Sequence, residues 1–321
     1  MLEISIQDHT NNIVSKANEL IKAQSSLSST AHKMLCSVIS MIKTDDTQFQ
    51  EYALRRDDYL SMVGSSSNND DFLYKQAEEL MSKPFRVDGK LFNWCSMVDF
   101  KRIPGYIIFD VHHKLKPYLL ELKERGNFTQ YKIMNILTLK GDYVPRLYEL
   151  FVMEWNQHRA YHKDAKSHTF ELKIDMLREM FEIPKSQLYA DIKRHIIDKA
   201  QAQFKEKTDI KFDYKEQKMG RKVDRLIITI KENNKGSNDF LASEKAFIAH
   251  MRKNYINQDL ANTTDKHTEE KLLVSVGQDG KLYNKYSNKT IDNKRSQELW
   301  SGMYKLALED KLLILKQGTL F

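Results

Sequence analysis

The N-terminal part of the chain alternates between helical and strand-like patterns of apolar residues. Residues 28–44 carry an apolar stripe behind Ser/Thr caps, which predicts an amphipathic helix. Two short helices are predicted at 55–64 and 72–83. The next stretch, FRVDGKLFNW, has an Asp-Gly turn between apolar arms and predicts a β-hairpin, and YIIFDV predicts a further strand. Helix, turn, helix and hairpin is the order of a winged helix.

The middle of the chain repeats this order without obvious sequence identity. The patterns predict a helix at 143–162, a strand at 167–174, a short helix at 174–184, a long helix at 186–207 and a hairpin at 210–230. A second winged helix is therefore expected here.

The long helix and the hairpin of the second copy carry the most specific signals. Ser186 is expected to cap the helix. Its buried stripe is predicted to hold Leu188, Ile192, Ile196, Ala200 and Phe204. Gly220 can supply the positive φ of the hairpin turn. The hairpin tip is predicted to be basic through Lys215, Lys218, Arg221 and Lys222.

These patterns predict an α+β protein with two tandem winged-helix domains and a small α/β C-terminal extension. The predicted domains span 1–135, 136–235 and 236–321. The last contains a helix at 240–255, a hairpin around Asp279-Gly280, a helix at 296–310 and a final strand, KLLILKQ. Pattern alone assigns no role to this extension.

Charge changes the picture, because the basic excess is concentrated in one domain. Residues 1–135 hold 17 Lys and Arg against 17 Asp and Glu, whereas residues 136–235 hold 21 against 16. The main contact with a polyanion is therefore expected in the second domain. The two cysteines, Cys36 and Cys95, are far apart and fit buried thiols in a reducing cytoplasm. Neither a signal peptide nor an apolar run long enough for a membrane is visible.

The outward face of the long helix has the donors that base reading requires. Steps of 100° place Gln187, Ala190, Arg194 and Gln201 opposite the buried stripe, with Lys193 beside them. Arginine can pair with guanine and glutamine with adenine in the major groove, so Arg194 and Gln187 are the leading candidates for base contacts. A basic hairpin tip would contact the phosphate backbone or the minor groove.

The corresponding helix of the first domain is a poorer DNA reader. Its exposed face is predicted to carry Tyr74, Lys75, Glu78 and Glu79. A role in dimerisation or backbone contact is therefore expected for this domain.

Motifs for enzymatic chemistry are missing from the sequence. It has neither GxxxxGK[ST] nor GxGxxG, so no nucleotide-phosphate cradle is expected. His112-His113 lack the apolar spacer of rolling-circle nickases. His158 and His162 have the i, i+4 spacing of a zinc pair but no evident third ligand, and a structural role is expected. The protein is accordingly expected to be a non-enzyme without cofactor or metal.

Residues 10–232 resemble the initiator Rep proteins of iteron-containing, theta-replicating bacterial plasmids. The resemblance rests on YVPRLYELF (143–151), FELKIDMLREMFEIP (170–184), LYADIKRHIIDKAQAQFKEKTDIKF (188–212) and GRKVDRLIITI (220–230). The first stretch is similar to the family signature Y-S-x-R-L-Y-E-L-L, with Val144-Pro145 as a departure. LIKAQSSLSSTAHKMLCSVISMI is similar to the family's opening strand and helix.

The resemblance implies two winged helices with a pseudo-twofold relation that bind directly repeated origin DNA, with the second domain making most base contacts. It also implies dimers that repress their own promoter, opening of AT-rich origin DNA and recruitment of host DnaA and the replicative helicase, in the bacterial cytoplasm and without a membrane. The DNA-binding residues so implied are Ser186, Gln187, Lys193, Arg194, Lys218, Arg221, Lys222 and, more weakly, Lys75.

Two other functions use overlapping features of the sequence. A winged-helix transcriptional regulator would have the same folds, and an effector pocket in the C-terminal extension would favour it. A nicking enzyme would need metal-dependent cleavage chemistry, against which the absent His-apolar-His motif counts. Tandem winged helices and chain length favour the initiator.

Overall fold

The computed structural model describes residues 4–6, 13–43, 46–63, 70–233, 248, 251–252, 255, 258–264 and 269–308. The chain forms two compact units, Met1–Ser237 and Asn238–Phe321. Both predicted winged helices lie in the first unit. No helix among the described residues is both long and apolar enough to cross a bilayer.

The N-terminal part of the first unit is a winged helix with additions. Its helices are α1 (Asn18–Ile21), α2 (Ser29–Ile39), α3 (Arg56–Val63) and α4 (Asp70–Ser82), followed after the sheet by the short α5 (Lys116–Leu119), α6 (Leu122–Arg125) and α7 (Ile133–Leu137). Its strands are β1 (Ile4–Ile6), β2 (Ile13–Ala17), β3 (Glu51–Arg55), β4 (Phe85–Val87), β5 (Lys90–Phe92), β6 (Cys95–Asp99), β7 (Tyr106–Val111) and β8 (Phe128–Lys132).

The predicted Asp88-Gly89 hairpin exists, but it is not the wing. Asp88 and Gly89 have φ of 50° and 71°, and β4 and β5 pair as a separate two-stranded sheet. The strands that join β3 in the main sheet are β7 and β6, in the order β1-β3-β7-β6. The wing is therefore the β6–β7 hairpin, which the sequence pattern did not mark because β6 lacks a continuous apolar run.

The second winged helix follows its predicted order. Its elements are α8 (Val144–Tyr161), β9 (Ser167–Lys173), α9 (Ile174–Met180), α10 (Tyr189–Ile192), a π-helical turn (Lys193–Ile197), α11 (Asp198–Lys207), β10 (Ile210–Met219) and β11 (Lys222–Glu232). The sheet order β10-β11-β9 matches β6-β7-β3 of the first domain, with the middle strand antiparallel to both neighbours in each case. The two domains thus share one topology.

The second unit has its own core. It contains β12 (Asp259–Thr264), β13 (Lys271–Val276), β14 (Leu282–Asn284), β15 (Lys289–Thr290) and α12 (Asn293–Leu308), with the strands paired in sequence order. The predicted Asp279-Gly280 turn joins β13 to β14, and α12 contributes Trp300 and Met303 to the core. β12 falls between the predicted helix and the predicted hairpin, where no strand is predicted. The final predicted strand and most of the predicted helix at 240–255 lie outside the described residues.

A buried cluster of ionisable groups joins α8 to the first domain. Glu149 on α8 accepts hydrogen bonds from Lys16 Nζ at 2.6 Å, from His32 Nε2 at 2.7 Å and from the hydroxyl of Tyr131. Cys36 Sγ lies 3.2 Å from Lys16 Nζ. The groups come from β2, α2, β8 and α8, so one network connects four elements.

The network sets the charges of its members. Burial alone would lower the pKa of Lys16, but Cys36 and Glu149 outweigh burial and raise it. Burial alone would raise the pKa of Glu149, yet Lys16 and His32 hold it well below its ordinary value. His32, Cys36 and Glu149 carry side-chain atoms of the kind that bind Zn²⁺. The positive charge beside them is the ammonium group of Lys16, which lies next to Cys36 and Glu149. The Lys16–Glu149 ion pair is therefore fully formed inside the core.

Removal of the Glu149 charge is expected to destabilise the first unit strongly. Glu149→Gln leaves Lys16 as a buried cation without its carboxylate partner, which should lower the free energy of unfolding by about 3–5 kcal/mol. The matched control is Glu232→Gln, whose partner Arg159 is nearly half exposed. It should cost less than about 1 kcal/mol. Urea denaturation followed by circular dichroism measures both, and equal losses in the two variants would contradict the expectation.

Candidate DNA interface

The helix that would enter the major groove begins three residues later than expected. Its first residue is Tyr189, and Leu188 occupies the N-cap without a side-chain cap bond. Ser186 lies exposed in a preceding turn, in which Gln187 N donates to Pro184 O at 3.0 Å. Ser186 as the cap was wrong because this turn uses the residues that would have started the helix. Leu188, predicted to be buried, is 69% exposed.

Arg178 fixes the turn between the two helices of the motif. Its guanidinium donates to Pro184 O at 2.8 Å and to Gln187 O at 2.7 Å. Both carbonyls belong to the segment between α9 and α10. The side chain therefore ties the end of the first helix to the start of the recognition helix, a name kept here for residues 189–207. The partners of Arg178 are backbone atoms, so no side-chain pattern in the sequence predicts its role.

The π-helical turn changes which residues face outward. A π turn accommodates one more residue than an α turn, so positions after Ile197 are rotated relative to uniform 100° steps. Arg194, before the end of the turn, is 72% exposed in its side chain. Gln201, expected on the same face, instead donates to Phe212 O at 3.1 Å on strand β10. Gln201 does not lie on the outward face, and Ala202 is exposed in its place.

The predicted reader residues differ in how free their side chains are. Arg194 is within 3.4 Å of Asp191 and donates to His195 at 3.0 Å, both contacts within its own helix. Lys193 donates to Glu216 on β10 at 2.7 Å, and this hydrogen bond raises the pKa of Lys193. Gln187 lies half-buried beside the start of the helix. Arg194 therefore has the most freely available donor group of the three.

The wing of the second domain extends beyond its sheet. Strand β9 ends at Lys173, which pairs with Arg225 on β11. Beyond this pair, among the described strands, only β10 and β11 continue toward the turn. We call residues 218–224 the wing tip. Lys218, Arg221 and Lys222 are exposed there, around Gly220 with φ of 63°. Lys215 is exposed but lies opposite Ile227, away from the turn.

The corresponding helix of the first domain presents a different surface. Lys75 is exposed on α4, next to Tyr74, whose ring stacks on Phe100 of the wing with centroids 4.2 Å apart. Asp71 and Glu78 are also exposed on this helix. Its charge is less suited to phosphate than that of the second domain.

The arginine and glutamate of the RLYEL stretch lie outside the interface. Arg146 and Glu149 are 6% and 2% exposed and face the junction of the two winged helices. The sequence signature pointed to the right family but not to this location. Residues 144–153 of α8 are all buried, so the sequence pattern offers no exposed side on which charged residues would be expected.

The fold and this surface define a tandem winged-helix protein whose second domain carries an exposed helix and wing with basic side chains. Two family models match most of the first unit. Residues 13–152 match "Initiator Replication protein, WH1" and residues 173–230 match "Initiator Rep protein, WH2", and the chain belongs to this initiator family. A solved structure of the Pi initiator protein in complex with iteron DNA is similar, with a TM-score of 0.55, 18% identity and coverage of 70% of this chain and 99% of that chain.

Loss of the Arg178 contacts should loosen the start of the recognition helix. In Arg178→Met two charge-assisted hydrogen bonds disappear, each worth about 1.5–3 kcal/mol at most. Hydrogen exchange at the amides of Asp191 and Ile192, which donate to Leu188 O, should accelerate by about tenfold or more. Arg159→Met, an exposed arginine on α8, is the control. Unaltered exchange at these two amides would show that the turn holds without Arg178.

Proposed function

We propose that this protein initiates plasmid replication by binding directly repeated origin DNA, or iterons, without catalysing a reaction. The observation that carries the proposal is the second winged helix, in which exposed Arg194 and the basic wing tip lie on one continuous helix–wing unit. A helix of this kind fits the major groove, and a basic wing fits the adjacent backbone or minor groove. Membership of the initiator family and the likeness to the Pi initiator support the same role.

The two domains have different roles in this proposal. The second reads bases, and the first contributes backbone contacts, through Lys75 among others, and self-association. The exposed acids on α4 support only the larger share of DNA contact for the second domain, because they would repel phosphate groups close to Lys75 and make it the weaker contact.

Opening of the origin then has to come from binding energy and host proteins. The sequence has no GxxxxGK[ST] phosphate loop, so nucleotide-driven strand separation is not expected from this chain. We propose that it recruits host DnaA and the replicative helicase to AT-rich DNA next to the repeats, in the bacterial cytoplasm.

Footprinting on the DNA that flanks the gene tests the function directly. The full chain is incubated with this DNA and scrambled competitor at roughly physiological salt. Protection of evenly spaced direct repeats supports the initiator. Protection confined to one inverted repeat at the promoter would instead indicate an autorepressor, and binding without any preference would refute base reading by the recognition helix.

Arg194 is expected to contribute sequence specificity. Arg194→Ala should weaken binding to the repeat by about 1–3 kcal/mol, as expected for the loss of one bidentate base contact, with little change for scrambled DNA. Fluorescence anisotropy with both duplexes measures the two affinities. Arg159→Ala on α8 should change neither. An unchanged affinity of Arg194→Ala for the repeat would remove Arg194 from the base-reading residues.

Lys222 is expected to contact phosphate rather than bases. Lys222→Ala should weaken binding to repeat and scrambled DNA alike and should reduce the slope of log K against log salt by about one unit. Lys231→Ala is a matched control, because Lys231 is on the same strand but at the end far from the wing tip and close to Asp213. A wild-type slope in Lys222→Ala would show that this side chain touches no phosphate.

A further inference from the structure

We propose that Arg146 is a positioning residue that makes base reading by the second domain depend on the docked first domain. The inference rests on the proposed DNA-binding function and extends it to a residue far from the DNA-facing surface. Its basis is that one buried guanidinium holds backbone carbonyls of both domains. Arg146 donates to Ala23 O and Ser25 O, each at 2.7 Å, and to Met180 O at 3.1 Å.

The first-domain carbonyls belong to a segment that is itself firmly held. We call residues 23–28 the interdomain segment. Gln24 and Arg86 exchange both backbone hydrogen bonds, at 3.0 and 2.9 Å, which attaches the segment to β4. Ser28 N donates to Glu79 on α4 at 2.8 Å. Arg146 therefore binds a segment whose position is fixed by the helix-turn-helix and hairpin of the first domain.

The carbonyl in the second domain lies at the start of the turn that leads into the recognition helix. Met180 is the last residue of α9, and its carbonyl also accepts from Ser25 N at 3.3 Å. Phe181 follows, with its ring 4.7 Å from the guanidinium carbon of Arg146, and Glu182 then takes a positive φ of 51°. Arg178 closes the remainder of the turn. The path into the recognition helix is thus anchored by Arg146 at its start and by Arg178 at its end.

This arrangement should affect base contacts and phosphate contacts differently. A bidentate pairing with a base edge requires the side chain to be placed within a fraction of an ångström, whereas neutralisation of phosphate by exposed lysines tolerates small displacements. Movement of the Met180 carbonyl would therefore reduce specificity before it reduces general affinity. A residue that merely supported folding would reduce both through loss of active protein.

The test compares full-length wild type and Arg146→Met on repeat and scrambled duplexes across a range of salt concentrations. The dissociation constant for the scrambled duplex divided by that for the repeat should be about tenfold or more lower in Arg146→Met than in the wild type, comparable to the loss of one base contact. The salt slope should stay unchanged. Amides of Asp191 and Ile192 should exchange faster. Arg159→Met, on the same helix and paired with exposed Glu232, should leave the ratio intact.

A second variant keeps the inference testable if Arg146→Met folds poorly. Glu79→Gln leaves Arg146 in place but weakens the attachment of the interdomain segment, and it should reduce the ratio in the same direction by a smaller factor. An unchanged ratio in both variants would overturn the role of Arg146, whether binding to the two duplexes is retained or weakens equally. Absence of any sequence preference in the wild type would refute the proposed function instead.

Discussion

The carboxylate of Glu149 is removed from water and surrounded by donors from three other elements. Lys16 on β2, His32 on α2 and Tyr131 on β8 all reach it, so these elements must come together around α8. A buried charge without a partner costs several kcal/mol, which makes partial assembly unfavourable. Helix α8 is the first helix of the second winged helix and also part of the core of the first, so the two domains share one hydrophobic core.

The DNA-facing surface is built differently from this core. Its cationic side chains are exposed and weakly constrained. The positions of the elements that carry them are determined by backbone contacts beneath the surface. Arg178 and Arg146 place the recognition helix through carbonyl groups, and Gly220 shapes the wing tip. On the proposed function, specificity then depends on buried Arg146 and partly buried Arg178, whose partners are main-chain carbonyls.

Much of this architecture was predictable, because helix periodicity and turn residues are local signals. Both helix-turn-helix pairs, the second wing and the positions of most buried apolar residues follow from them. The first wing was misplaced, since β6 has a mixed pattern and its pairing with β7 depends on tertiary contacts. Arg146 and Arg178 were missed because their partners are main-chain carbonyls, which leave no trace in side-chain patterns. Gln201 was misjudged because the period of 3.6 residues does not hold through Lys193–Ile197.

The π-helical turn divides the recognition helix into two segments with different phases. Positions before the turn and positions after it cannot be placed on one helical wheel, so a residue grafted from a relative with a regular helix would face the same way after the turn only if its position were shifted by one. Deletion of one residue within Lys193–Ile197 would remove the extra residue and restore regular α geometry, while the residues on either side of the turn keep their present orientation. A single-residue deletion in the α-helical part of the same helix would instead rotate the residues beyond it by about 100° and present a different set of side chains on the outward face.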